Sequence, residues 1–291
     1  MSFLTQITQL VKDPPPDYVF EISEAGLAFS RDGQIGFQPF EPGTLVVSPV
    51  EDNVRHPDSI AAAIAAAAPP NGSKKRRRAA VILPDYAARV TVLDFDAFPA
   101  SPEEQLALIR FRVKKTVPFD IESASVSYFV QPSDPKGAGP NVEVIAVTMA
   151  VEIIARYEAL FRSARFQPGD VTTSGLAALN LCPDHSIEGV TVVAKLAGNV
   201  ISVMVIAGNK LNLFRCVTLE EGSEEEILAV LHPTFAYVED ELASRVVKMI
   251  LCGFPPGSPA GLRCETEPLR SRLAPLAWTN AGLLGFMEGA I

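Results

Sequence analysis

Ser101-Pro102-Glu103-Glu104 and, further on, Val117-Pro118-Phe119-Asp120 bracket a single helix-like stretch. Between them Leu106, Ile109 and Val113 recur at one-face helical spacing, and Leu108 and Phe111 widen the stripe. Ser101 reads as the helix N-cap, Pro102 as the first helical residue and Glu104 as the returning arm of a capping box. Arg110, Arg112, Lys114 and Lys115 crowd the last turns, where cations suit the helix dipole, and Pro118 closes the helix. Working outward, two strand-like runs precede it: Ala80-Val81-Ile82-Leu83, stopped by Pro84-Asp85, and Arg89-Val90-Thr91-Val92-Leu93. Two more, at 124–130 and 142–149, lead into an amphipathic helix at 151–166. Two strands, a helix, two strands and a helix predict a small α+β unit without a catalytic residue.

The chain has 291 residues, of which 48% are hydrophobic, enough for one large core or two smaller ones. Its net charge of −9 argues against a general nucleic-acid binder, because phosphate affinity comes mainly from Lys and Arg. Cys182, Cys216, Cys252 and Cys264 lack metal-ligand spacing and read as reduced thiols. His56, His185 and His232 fall in no triad or metal spacing. No metal site is expected. With no signal-like segment and no apolar run of the ~18–20 residues that span a bilayer, a soluble, cytoplasmic protein is expected.

Residues 1–16 place Phe3, Leu4, Ile7, Leu10 and Val11 on one helical face, but Lys12 is the lone cation. Packing or fraying therefore fits better than a membrane-surface anchor. From residue 18 to 50, turn signals at Glu24-Ala25-Gly26, Asp32-Gly33 and Pro42-Gly43 predict a three-stranded meander. Asp58-Ser59 caps an alanine-rich helix at 60–68, which Pro69-Pro70-Asn71-Gly72 ends. The run Lys74-Lys75-Arg76-Arg77-Arg78 reads as a solvated loop, with an anionic lipid or acidic partner as the alternative. Residues 169–173 form a strand and 174–181 a helix. Pro183-Asp184-His185 reads as a connection. A second meander follows at 190–196, 200–206 and 211–219, broken by Ala197-Gly198-Asn199 and Ala207-Gly208-Asn209, and it echoes the first. Helices at 224–231 and 235–247, a strand at 248–253 and a small-residue helix from Ala281 to Phe286 complete the chain.

Pro84-Asp85, the helix opening Ser-Pro-Glu-Glu, Val117-Pro118-Phe119-Asp120-Ile121-Glu122 and Tyr128 resemble the signature of the PilM family. So do residues 157–168, Asp170 and Leu176-Ala177-Ala178-Leu179, while Arg112 departs from the acidic residue expected there. The resemblance covers residues 17–291. It implies an α/β, actin-like (ribonuclease H-like) two-half fold with an FtsA-type inserted α+β subdomain. On that pattern 17–84 and 167–188 form the first half, 85–166 the insert and 189–291 the second half.

The family is one of cytoplasmic assembly factors of type IV pili, related to FtsA and to GspL of type II secretion. Actin-like ATPases hold ATP and Mg²⁺ between two hairpin loops, each with an Asp beside the metal and small residues that let backbone N–H groups approach phosphate. Here the first loop carries Glu21, Ser23 and Glu24, and the second carries Lys195, Ala197, Gly198 and Asn199. An ammonium at Lys195 does not ligate Mg²⁺. The adenosine turn reads Gly253-Phe254, with a bulky ring where a second glycine is expected. No catalytic residue and no cofactor are therefore expected, and the ATP loops read as degenerate.

The resemblance implies a scaffold at the inner membrane that binds the cytoplasmic N-terminal tail of a PilN-like single-span membrane protein. Phe111, Pro118 and Phe119 are candidates to line that groove, although core packing explains them equally well. Self-association is a further expectation; nucleic acid is not, and contact with the membrane is peripheral. The alternatives are a working ATPase of the superfold and a GspL-like cytoplasmic domain. GspL continues into a transmembrane helix, and the present chain stops at Ile291, which counts against the second.

Overall fold

A computed structural model describes residues 16–69, 75–132, 142–182 and 189–289. The segment 1–15, Lys74 and the connection at 183–185 lie outside the described residues. The chain divides into two compact units.

The first unit draws on Met1–Ala87, Glu152–Pro183 and Leu269–Ile291. Its meander is β1 (Tyr18–Ser23), β2 (Gly26–Arg31) and β3 (Gln34–Pro39), antiparallel throughout. β4 (Arg77–Leu83) and β8 (Phe166–Thr173) add in parallel, giving the order β3-β2-β1-β4-β8. Three helices matter here: α1 (Pro57–Ala67), α3 (Val151–Ser163) and α6 (Ala281–Gly289). A short α4 (Ser174–Ala178) follows β8. Apolar residues on one face of α3 bury Ile153, Tyr157, Leu160 and Phe161. Phe20 lies 5.2 Å from the ring of Phe161 and 5.1 Å from that of Phe166.

Several expectations change here. Helix α1 begins at Pro57, with His56 at its N-cap, so Asp58 is a first-turn acid and Ser59 is helical. The helix predicted to reach 166 stops at Ser163, and Phe166 opens a strand. Helix α3 belongs to the first unit from Glu152 onward, because its apolar face serves the Phe20 core; the insert therefore ends with its last strand. Helix α6, expected in the second half, also belongs to the first unit. The basic run is no solvated loop at Arg77. Its guanidinium lies 3.9 Å from the Phe166 ring centroid and donates to the carbonyls of Ala68, Pro69 and Ala164.

The second unit combines Ala88–Val151 with Asp184–Pro268. Its five-stranded sheet repeats the first: β9 (Val190–Ala197), β10 (Val200–Ala207), β11 (Lys210–Thr218), β12 (Val246–Cys252) and β13 (Glu265–Pro268), ordered β11-β10-β9-β12-β13. Again an antiparallel meander is extended by two parallel strands. Helix α5 (Glu224–Asp240) packs Ile227, Val230, Leu231 and Val238 onto the face carrying Val192, Ala194, Ile201 and Val203.

Two helices were expected over α5, at 224–231 and 235–247. One runs through Pro233 and ends at Asp240, and residues 246 and 247 are strand. Interior proline costs a helix about 3 kcal/mol, which the burial of five side chains offsets. A capping box starts α5: Ser223 Oγ accepts the Glu226 N–H at 3.3 Å, and Glu226 accepts the Ser223 N–H at 3.2 Å.

The insert is a three-stranded sheet, β5 (Arg89–Phe95), β7 (Val142–Ala150) and β6 (Ala124–Val130), in the order β5-β7-β6. Helix α2 (Pro102–Val113) packs Ile109 and Val113 against Leu93, Phe95, Val144 and Ala146. The box predicted at its start does not close, since Ser101 makes no side-chain cap bond. Phe111 does not widen the buried stripe: it is 76% exposed. Only a narrow sheet lies beneath α2, so two buried positions cover it.

Candidate functional site

The two meanders put the candidate loops in equivalent places. Ser23 pairs with Gly26 and Ala197 pairs with Val200, so each hairpin has a two-residue turn, Glu24-Ala25 or Gly198-Asn199. Counting back from the turns makes Glu21 the counterpart of Lys195. The parallel neighbours agree, Ile82 beside Glu21 and Cys252 beside Lys195. The expected correspondence of the loops thus follows from strand register.

Glu21 is 1% exposed. Its Oε1 accepts the Ser174 hydroxyl, and its Oε2 accepts the Leu283 N–H at 2.7 Å. Leu283 is in the first turn of α6, where a helix leaves its N–H groups without intrahelical partners and favours negative charge. A carboxylate buried in apolar packing needs such donors. Ser23 Oγ donates to the Gly26 carbonyl at 3.1 Å, which ties the turn to itself. Glu24 Oε1 accepts the Val47 N–H at 2.7 Å, so this carboxylate is bonded to a neighbouring loop.

That loop is fastened in turn. Asn53 Oδ1 accepts the Ser48 N–H at 2.9 Å, and Asn53 Nδ2 donates to the Tyr157 hydroxyl at 3.0 Å. Burial pushes the Tyr157 phenol well above its ordinary range; the Asn53 bond opposes this, and the carboxylates of Glu24 and Asp52 add to it. Arg156 donates to Asp52 through Nε at 3.0 Å and Nη2 at 2.7 Å.

In the second unit Lys195 is 4% exposed, between Ser202 of β10 and Cys252 of β12 in the register. Gly198 adopts φ +61°, the left-handed conformation that suits the first position of a tight hairpin turn. Asn199 holds the far end of the meander, its carbonyl accepting the Leu219 N–H at 2.6 Å. Gly253 also has positive φ, +79°, and Phe254 packs partly buried against the core of its own unit. Two of the candidate turns are thus tight hairpin turns, whereas Gly253-Phe254 follows β12, which pairs in parallel with β13.

A hydrated Mg²⁺ is held by carboxylate oxygens. One loop offers a carboxylate with both oxygens engaged by protein donors, and the other offers an ammonium. The carboxylates of the first loop are thus engaged within their own unit. Among the described residues there is also no cluster of three His, Cys, Asp or Glu able to hold a metal. None of the four cysteines forms a disulfide, and no described helix is long and apolar enough to cross a membrane.

Of the groove candidates, Phe111 and Pro118 are exposed, whereas Phe119 packs partly buried on the insert core. Sequence reasoning missed the role of Asp85, whose Oδ1 accepts the Gly175 N–H at 2.6 Å, and of Ser174. It also missed the glycines of α6. A Cβ on Gly282 would lie 2.8 Å from both Ile82 Cγ2 and Ser174 Cα, and one on Gly285 2.7 Å from the Ala177 carbonyl carbon. The small-residue pattern of α6 was the available signal for that close approach.

No family model matches this chain, and no curated relative does. Solved structures do. The chain is similar to one from a PilM–PilN type IV pilus biogenesis complex at 16% identity, with 96% of this chain and 100% of that one covered and a TM-score of 0.73. It is also similar to Cyto-EpsL, the cytoplasmic domain of EpsL, an inner membrane component of the type II secretion system of Vibrio cholerae. There the identity is 14%, the coverage 94% and 93%, and the TM-score 0.54. The repeated sheet order and the full-length likeness agree with the motifs: the fold is actin-like, and it resembles that of PilM.

Proposed function

We propose that this chain is a non-catalytic, actin-like scaffold of a type IV pilus or related secretion machine. In this reading it works at the cytoplasmic face of the inner membrane and holds the N-terminal tail of a PilN-like single-span membrane protein. The observation that carries it is the likeness to PilM over essentially the whole chain, in a structure described as a complex with PilN. The commitment of Glu21 to Ser174 and Leu283 supports the non-catalytic part, because it leaves the first loop without a carboxylate held ready for a metal. The lower TM-score of the EpsL domain favours the pilus over type II secretion.

A short tail reaches roughly micromolar affinity through a few anchored side chains and backbone hydrogen bonds. Membrane tethering raises its effective concentration, so weak affinity suffices. Exposed Phe111 and Pro118 on the insert, with Phe119 beside its core, are the proposed contacts. The test is calorimetric titration with a synthetic peptide from the N-terminus of a PilN-like protein of the same organism. Binding without nucleotide is expected, and Phe111→Ala should weaken it without lowering the melting temperature. Absence of binding at about 10⁻⁴ M peptide, with and without Mg²⁺–ATP, overturns the scaffold reading. Tight binding of Mg²⁺–ATP by the free protein overturns its non-catalytic part.

A further inference from the structure

The insert meets β11, the edge strand of the second five-stranded sheet, with β5 lying alongside it and polar groups bridging at one end. Gln131 Nε2 donates to the Leu211 carbonyl at 2.8 Å, and the Leu211 N–H donates to Gln131 Oε1 at 2.9 Å. Gln131 is positioned for this by its own N–H, which donates to the Glu143 carbonyl at 2.8 Å. A primary amide presents one donor and one acceptor edge, as a peptide group does. A single side chain therefore pairs with the edge strand as a neighbouring strand would. Lys210, the residue before Leu211, forms an ion pair with Glu143, both partly buried. On the other side, Tyr237 of α5 donates to the Asn212 carbonyl at 3.3 Å, and Asn212 Oδ1 accepts the Ala207 N–H at 3.1 Å. The start of β11 is thus held firmly from α5 and β10, and its outward edge is given to the insert.

We propose that Gln131–Leu211 and Lys210–Glu143 form a latch by which the insert opens and closes on the second sheet as a body. An apolar contact has no substitute partner once separated. Here both amide edges and both charges return to water when the surfaces part, so opening is far less costly than unfolding either side. Closed, the latch also blocks a strand edge that would otherwise invite pairing with another chain.

Amide hydrogen exchange of the full chain tests this. In the wild-type protein the Leu211 amide should exchange through a local opening, faster than amides in the middle of α5. Gln131→Ala should accelerate Leu211 by about tenfold or more while leaving the α5 amides unchanged. Lys210→Glu, which leaves the amide pair in place, should accelerate it as well, and adding Glu143→Lys should restore wild-type exchange. If Leu211 exchanges at the rate of global unfolding, there is no latch that opens. The same conclusion follows if Gln131→Ala and Lys210→Glu both leave Leu211 unchanged, or if they accelerate Leu211 and α5 together.

Discussion

The hairpins β1–β2 and β9–β10 occupy the same place in two sheets of identical strand order, and both close with two-residue turns. Their chemistry is opposite. At the counted-back position one has a buried carboxylate and the other a buried ammonium. The first carboxylate is wired into its own unit, to Ser174 and the start of α6. The lesson is that register and turn length carry the duplication, and the residue at the equivalent point is free to take a local job. For Glu21 that job is docking the closing helix.

Removing that carboxylate is the strongest way to break the comparison. Glu21→Ala leaves the Ser174 hydroxyl and the Leu283 N–H without their charged partner. A loss of about 3 kcal/mol is expected, since a hydrogen bond to a charged group is worth about 1.5–3 kcal/mol. Urea unfolding measures it. A change within error would mean that the residue serves something other than packing.

Gly285→Ala tests the same helix from its glycine face. The new methyl meets the backbone of Ala177, which cannot yield as a flexible side chain does. Overpacking of this kind costs about 1–3 kcal/mol. Gly198→Ala is the control in the other hairpin. Nothing lies within 4 Å of its Cβ, so only the positive φ is strained. A smaller loss, about 1 kcal/mol, is expected there. Equal effects would remove the distinction between a glycine kept for close approach and one kept for conformation.

Much of the fold was legible for the same reason that the hairpins match. Alternating apolar runs and turn residues such as Gly198-Asn199 and Asp32-Gly33 are local signals, and they placed the strands of the second meander to within a residue and the two tight turns of the first. What depends on distant contact was not legible. The small residues Ala281, Gly282 and Gly285 signal a close approach but do not name Ser174 and Ala177 as its partners, so α6 was placed with the second half although it lies in the first unit. Ser-x-x-Glu occurs before both α2 and α5, and the box closes only at Ser223. Phe111 shows the limit of periodicity, which orders residues around a helix but cannot reveal how wide a surface lies beneath it. At the candidate site the residue identities predicted degeneracy, but the bonds that hold Glu21 and Glu24 needed the structure.

The loop fastened to Glu24 gives a milder test. Tyr157→Phe keeps the ring in the Phe161 core and removes only the hydroxyl that accepts from Asn53. About 1 kcal/mol should be lost, the net worth of one hydrogen bond plus the orphaned amide. Faster exchange of the Val47 and Ser48 amides should accompany it, because Asn53 holds that loop. Unchanged exchange would show that the loop stays in place without this bond.

The smallest effect comes from the far end of α6, where Glu288 faces Ser271 and Arg272. Partial burial by itself would raise its pKa. The Ser271 hydroxyl, the Arg272 N–H at 2.8 Å and the Arg272 guanidinium outweigh that and hold the carboxyl below its ordinary value of 4.5. A carboxylate whose pKa is depressed by folding binds its proton more readily in the unfolded chain. Its stabilisation is therefore complete above the unfolded pKa and is lost as pH falls through the folded one. Glu288→Gln keeps the shape and removes the titration. The variant should be slightly less stable than wild type near neutral pH, and the gap should close as the pH is lowered below the folded pKa. Urea midpoints across that range read it directly. A gap that stays constant with pH would assign the difference to hydrogen-bond geometry alone. A gap that widens in acid would mean that the carboxyl is held above its ordinary value, as burial without partners would hold it.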